Sequence, residues 1–446
     1  MPKKLWPQAL LIKLYKTVPD KKIFCNTPWY ELHIYWDGSL GICCQEDHKL
    51  YSGGDYNIAS MTIEQWFNSP PVQQFRKDVL SNSPVSACRR CYVEEQVGGN
   101  SRRIKSNQKS AIFMQAFEES FVQSPGNQHF NFSGLTATQP IDIHIDLGNY
   151  CNLACKMCNA QASSKIAAQE VKWGIQSSQP YLGQDWTRDQ SVWDSFKEQL
   201  LKIPKLNNIH FMGGETLLTD RFEDLVDFMI DNQRFDICFS FVTNGTVFNP
   251  ELVRKLLKFK RVGIEVSIET IDKHNAYQRQ GTDTDLVLSN IDRYSQYCNN
   301  TNITVTLRPA ISALTIGYYD GLLNYALSKK IIIKSLLVID PKFLSVNILP
   351  QAVKDQYLRK YHNILDTLKD ISVQQDYNAS DPNNFKSIIK EQAQMCINAL
   401  NKSAPDDVDL LRKQMIQHCQ KWDQIYGYDA RSLYPEFAEL LDRYDY

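Results

Sequence analysis

The sequence predicts an α/β protein whose core is a partial (β/α)6 barrel, preceded by a cysteine-rich region and followed by a helical C-terminal region. Three observations predict it. From Ile141 onward, short apolar segments alternate with amphipathic helical stretches, the pattern of parallel β/α units. Ahead of Gln161 the cysteines gather in two groups, and beyond Leu349 the chain reads as helical and polar. The expected division is 1–103 for the cysteine-rich domain, 104–140 for a linker, 141–345 for the barrel and 346–446 for the helical region.

At 446 residues the chain is too long for one average domain. Its formal net charge of -1, from 49 basic and 50 acidic residues, gives no global field to recruit nucleic acid or a membrane surface. The basic run Arg102-Arg103-Ile104-Lys105, with Lys109 following, reads as a solvated face. Lys13 interrupts Ala9-Leu10-Leu11-Ile12 before a signal segment can form, and nothing reaches transmembrane length. A cytoplasmic location is expected. Twelve cysteines in a long chain without a signal are better read as metal or cluster ligands than as disulfides.

In the N-terminal third, two strand-like segments meet at Asp37-Gly38, a strong hairpin signal that carries Cys25 back towards Cys43 or Cys44. A helical stretch from Thr62 to Leu80 then leads to Cys88-Arg89-Arg90-Cys91. Together these supply a four-thiolate site, in which either Cys43 or Cys44 is the ligand because alternate strand residues point to opposite faces. C-x2-C with two remote thiols suits tetrahedral zinc as well as iron. From about Ile104 to Pro140 the chain is polar, with an apolar patch at Ala111-Ile112-Phe113-Met114, and reads as a linker with a docking helix.

The first barrel strand, Ile141 to Leu147, alternates with period two and delivers Cys151, Cys155 and Cys158, spaced C-x3-C-x2-C, at its C-terminal end. Three thiolates so close can share one inorganic centre, and the choice lies between a zinc site with a distant fourth ligand and an iron–sulfur cluster with one open iron. Further strands are expected at Asn208 to Met212, Ile237 to Val242, Val262 to Ile268, Ile303 to Leu307 and Ile331 to Ile339. In such barrels function sits at the C-terminal strand ends. Those ends carry Gly213-Gly214-Glu215, Thr243-Asn244-Gly245, Ser267 with Arg279 beyond it, Arg308 and Asp340. Glycines let backbone carbonyls approach a ligand, a carboxylate can pair with an ammonium group, and a guanidinium with a carboxylate. An Asn-Gly turn after strand three needs no ligand to explain it. Plain strand capping explains Arg308 and Asp340 equally well.

The C-x3-C-x2-C loop resembles the signature of the radical S-adenosylmethionine (radical SAM) superfamily. The resemblance implies that Cys151, Cys155 and Cys158 hold a [4Fe-4S] cluster. It further implies that an open iron chelates S-adenosylmethionine, whose reductive cleavage yields a 5'-deoxyadenosyl radical. Gly213, Gly214 and Glu215 resemble the family's GGE sequence at the amino group of S-adenosylmethionine. Ser267 and Arg279 resemble its serine and arginine contacts. Met157 stands where the family commonly has an aromatic against the adenine, and Glu269-Thr270 where many relatives have Asp-Gly.

The order Cys25, Cys43, Cys88, Cys91 resembles the SPASM/twitch domains of these enzymes and implies a second [4Fe-4S] cluster. That likeness includes Gly53-Gly54, Trp66, Phe75-Arg76, Glu94-Glu95 and Ser101-Arg102, although here the domain precedes the barrel. The tail Tyr428-Asp429-Ala430-Arg431 with Tyr434-Pro435-Glu436-Phe437 resembles that of twitch-containing members. Such relatives often modify peptides or proteins, so a peptidyl substrate and a reductase such as flavodoxin or ferredoxin are the expected partners. A small metabolite is the alternative substrate, and a non-catalytic iron–sulfur or zinc protein the alternative class. Cys238, Cys298, Cys396 and Cys419 lack ligand-like spacing and are expected as core or free thiols.

Overall fold

The computed structural model describes residues 23–46, 56–80, 84–96, 98–108, 121–123, 130–132, 139–183, 185–369, 383–444 and 446. Gly53-Gly54, Lys109 and the patch at 111–114 lie outside the described residues. The chain forms two compact units, one of residues 1–92, 100–148 and 185–211, the other of 93–99, 149–184 and 212–446.

Strands in chain order are β1 Glu31–Ile34, β2 Leu40–Gly41, β3 Phe121–Gln123, β4 Phe130–Phe132, β5 Asp142–Asp146, β6 Ala154–Cys155, β7 Asn208–Met212, β8 Cys238–Thr243, β9 Arg261–Val266, β10 Arg279–Gln280, β11 Ile303–Leu307, β12 Ala310–Ile311, β13 Ile332–Ile333 and β14 Leu336–Leu337.

In the first unit the strand order is β2-β1-β5-β7. The hairpin β1/β2 turns at Gly38, whose φ of +82° is the left-handed conformation that glycine adopts freely. Then β1 runs parallel to β5, with Glu31 opposite Asp142 and His33 opposite His144. Strand alternation divides this sheet sharply. Leu32, Ile34, Ile143, Ile145, Ile209 and Phe211 form one fully buried apolar face. Glu31, His33, Asp142, His144, Asp146, Asn208 and His210 occupy the opposite positions.

The helix expected from Thr62 to Leu80 is two helices, Ile63–Phe67 and Pro70–Leu80. Thr62 and Gln65 cap the first reciprocally. Pro70 and Pro71, which lack a backbone N–H and suit a first turn, open the second.

In the second unit β8-β9-β11-β13 are parallel neighbours. Phe239, Phe241, Val262, Ile264, Val266 and Leu307 are buried on one face. Phe222, from the helix Asp220–Asp231, packs there at a tilt, with its ring centroid 5.0 Å from that of Phe241. Helices after strands start on short polar caps: Thr219, Asn249 and Asp283 each accept a backbone N–H two or three residues on.

The strand expected over Ile331 to Ile339 is interrupted. Ser335 donates its backbone N–H to Gln392 Oε1 at 3.0 Å instead of to a strand, and Leu336 pairs with Ala310 of β12. Helices Gln351–Thr367, Asn383–Leu400 and Val408–Tyr426 make the C-terminal region helical, as its pattern indicates. No helix among the described residues is long and apolar enough to cross a membrane.

Candidate iron–sulfur and S-adenosylmethionine site

Every residue predicted for the S-adenosylmethionine site falls in the second unit. The loop after Asn149 is pinned from within. Asn149 Nδ2 donates to the Ala160 carbonyl at 3.1 Å and the Tyr181 carbonyl at 2.8 Å, and Ser163 Oγ donates to the Leu153 carbonyl at 3.0 Å. Cys155 is buried, Cys151 and Cys158 half-buried, and none is in a disulfide. Burial raises the pKa of all three, that of Cys158 to about 11, and the neighbouring thiols raise Cys155 and Cys158 further. Leu153 N donates to Cys151 Sγ at 3.4 Å, and Arg279 Nη1 approaches Cys155 Sγ at 3.7 Å.

A short ladder sets that last contact. β6 and β10 pair antiparallel, with Arg279 directly opposite Cys155. The guanidinium is also gripped by Glu269, through Nη2 to Oε1 at 2.8 Å and Nε to Oε2. Met157 Sδ lies 3.3 Å from Nε2 of Gln278, the residue before Arg279. Ser267 is half-buried at the end of β9, its N–H donated to the Thr243 carbonyl at 2.8 Å.

Gly213 and Gly214 both have positive φ, +71° and +52°. A Cβ on Gly214 would stand 2.3 Å from the Tyr150 carbonyl oxygen, so only glycine fits beside the cysteine loop. Glu215 is buried, and its carboxylate accepts from Thr243 Oγ1 at 2.7 Å and from Asn244 N at 2.6 Å. Burial raises its pKa against these bonds. Asn244 in turn donates to Asn152 Oδ1 at 2.7 Å. Thr243-Asn244-Gly245 thus ties Glu215 to the cysteine loop, a role that spacing could not show.

Another contact was invisible to spacing. Lys156 is buried between two of the cysteines, donates to the Tyr277 carbonyl at 2.7 Å, and lies over the rings of Tyr277, Trp422 and Tyr428. Burial lowers its pKa to about 8. The C-terminal tail thereby buttresses the loop. Its Glu436 accepts from Tyr318 at 3.0 Å and from Tyr357. Arg308 pairs with Glu265 at 2.8 Å, while Asp340 is exposed.

The four N-terminal thiols meet in the first unit. Cys25, Cys43, Cys88 and Cys91 line one small cavity, with Phe75, Glu46, Arg102 and Arg103 among its walls. The hairpin supplies Cys43, and the turn Ser86–Cys88 running into the helix Arg89–Gln96 supplies the other pair. Burial raises Cys25, Cys43 and Cys88, and further thiols reinforce the shift at Cys43 and Cys88. Cys44 is absent from this cavity and clusters with Glu31 and His144. The basic run is not a solvated face. Arg103 is buried and donates to the Phe24 carbonyl at 3.1 Å, and Arg102 pairs with Glu31. A run of charges carries no sign of the buried acceptors that await it.

A sequence model of the radical SAM superfamily matches residues 145–312, and one of an iron–sulfur cluster-binding domain, SPASM, matches residues 25–92. The chain is a SPASM-containing radical SAM protein. It is similar to the radical SAM cyclopropyl synthase TigE of Paramaledivibacter caminithermalis, 24% identical over 218 residues, 47% of this chain and 43% of that protein. The chain therefore spans less than half the length of that relative. Among solved structures it resembles native anSMEcpe with bound AdoMet and Cp18Cys peptide at 17% identity, covering 51% of this chain and 61% of that one, with a TM-score of 0.38. It also resembles Streptococcus suis SuiB bound to precursor peptide SuiA at 13% identity, covering 60% and 61%, with a TM-score of 0.34.

A radical SAM domain takes a [4Fe-4S] cluster and S-adenosylmethionine, and a SPASM domain takes additional iron–sulfur. The residues present fit both. Three undisulfided thiols share one loop, two of them, Cys151 and Cys155, receive donors at sulfur, the Gly214 cradle has no room for a Cβ, and a separate cavity collects four thiols.

Proposed function

We propose that this protein is a radical SAM enzyme in which Cys151, Cys155 and Cys158 ligate the catalytic [4Fe-4S] cluster and Cys25, Cys43, Cys88 and Cys91 an auxiliary one. The observation that carries the reading is the β6/β10 pair, which sets the Arg279 guanidinium across from Cys155 while Glu269 holds it from the other side. The chemistry supplied by such a cluster with S-adenosylmethionine bound is reductive cleavage of the sulfonium, giving a 5'-deoxyadenosyl radical that takes a hydrogen atom from substrate. Around it, Arg279 orients the methionyl carboxylate, Gly213 and Gly214 admit the amino group to backbone carbonyls, and Ser267 and Met157 line the nucleoside. Glu215 is spent on Thr243 and Asn244, so it fixes the shape of the Gly213-Gly214 turn.

The substrate is a peptide or protein, in keeping with the resemblance of residues 25–92 to SPASM domains. The electron comes from a flavodoxin or ferredoxin in a cytoplasmic, thiol-preserving compartment. Anaerobically reconstituted protein with a strong reductant should form 5'-deoxyadenosine from S-adenosylmethionine. Deuterium from a labelled peptide should appear in that product. Transfer only from a small metabolite would overturn the peptide assignment, and no cleavage at all would overturn the enzyme.

A further inference from the structure

The polar face of the first unit's sheet carries a group of residues that neither cluster uses. Glu31 on β1, His144 on β5 and Cys44 just past β2 each offer a donor atom, and these three atoms lie within 4.8 Å of one another. Glu31 is 1% exposed and His144 5%. One oxygen of the carboxylate, Oε2, holds Arg102, but the other, Oε1, is buried without a hydrogen-bond partner. His144 repeats the pattern. Its Nε2 faces Arg102 at 3.3 Å, Asp142 Oδ1 at 3.6 Å and Glu31 Oε2 at 3.8 Å, whereas Nδ1 is buried and unpartnered. Buried polar atoms of this kind ordinarily have partners, so two on one small cluster mark a missing one.

We propose that Glu31, Cys44 and His144 bind a divalent transition-metal ion, best fitted by zinc, at a site separate from the four-thiol cavity. Mixed sulfur, nitrogen and oxygen donors suit a borderline cation, and three protein ligands leave a fourth position for water or a substrate donor. The surroundings have the form of an outer shell: a ligating histidine turns its other ring nitrogen to a carboxylate, as His144 Nε2 does towards Asp142. Arg102, by occupying Glu31 Oε2, makes the carboxylate a one-oxygen ligand. Binding displaces to solvent the Cys44 proton and the second ring proton that Glu31 and Asp142 hold on His144, leaving a neutral imidazole ligand. Glu31, Asp142 and the Cys44 thiolate then place three negative charges against Arg102, and a divalent cation restores neutrality.

The test is zinc equilibrium dialysis of anaerobically purified, cluster-loaded protein, reading zinc and iron per chain together, with X-ray absorption at the zinc edge. One tightly held zinc, iron unchanged, and a first shell of one sulfur with nitrogen and oxygen are expected. Cys44→Ser and His144→Gln should each lose that zinc and keep their iron, which also reports that they fold. Zinc retained equally by both variants, zinc in an all-sulfur shell, no zinc in the wild type, or loss of iron in Cys44→Ser overturns the site. None of these readouts depends on S-adenosylmethionine cleavage.

Discussion

Arg279 and Glu269 face each other fork to fork, Nη2 to Oε1 at 2.8 Å and Nε to Oε2, inside a wall that leaves the Glu269 side chain fully buried. Two of the guanidinium's three nitrogens are thus committed, and Nη1 remains, directed at Cys155 Sγ. A bidentate pair fixes a planar group more firmly than a point charge can be fixed. The pair therefore serves as the mount that aims Nη1.

Arg279→Lys keeps the charge but loses the fork. S-adenosylmethionine should bind roughly ten- to a hundredfold more weakly, about 1.4–2.8 kcal/mol, with iron content unchanged. Arg279→Ala is a poorer probe, because it strands a buried carboxylate at a typical cost of about 3–5 kcal/mol. Isothermal titration under anaerobic conditions checks the lysine variant. Wild-type affinity there removes Arg279 from the cofactor site.

Much of this arrangement was legible beforehand, and the reason is local. The strands at Asn208–Met212 and Ile303–Leu307 are readable because the sequence of each alternates between apolar and polar residues over a short run that follows a capped helix. Cys151, Cys155 and Cys158 share one short loop, so spacing alone gathers them. Long-range contacts were not legible in the same way. Nothing in a run of basic residues tells that Arg102 finds Glu31 across 71 positions, or that Lys156 meets Trp422 and Tyr428 of the tail. The sixth strand failed because Gln392, from a distant helix, takes the backbone bond of Ser335.

Gly214 offers a test of close packing. With φ at +52° and the Tyr150 carbonyl 2.3 Å from where a Cβ would stand, Gly214→Ala must shift one of two backbones. That backbone carries the bond from Glu215 N to Tyr150 O at 2.7 Å and leads straight into Cys151. 5'-Deoxyadenosine formation should fall at least about tenfold, which corresponds to about 1.4 kcal/mol of lost positioning. The circular dichroism should stay that of the wild type. An alanine variant with full turnover would show that this turn does not shape the site.

Adjacent cysteines should behave differently. Cys43 lines the cavity with Cys25, Cys88 and Cys91, while Cys44 joins Glu31 and His144. Cys43→Ala should therefore lose the auxiliary cluster, about four irons if it is a [4Fe-4S] centre, whereas Cys44→Ala should keep it. Iron analysis after anaerobic purification checks both variants side by side. Equal losses would mean that the hairpin end can present either thiol to the cavity.

Replacing Cys151, Cys155 and Cys158 together by Ala separates the two ligand sets. Their loop is held by Asn149, Ser163 and Lys156 through bonds to carbonyl oxygens, none of which involves a sulfur. The loop should keep its fold when the thiols go. The four N-terminal thiols belong to another compact unit and share no ligand with this loop. The triple variant should form no 5'-deoxyadenosine above background yet retain about four irons per chain, with the absorption of an intact [4Fe-4S] centre. Zinc in place of that iron would make the N-terminal thiols a structural knuckle. Turnover at the wild-type rate would falsify the assignment of the three loop cysteines to the reacting centre.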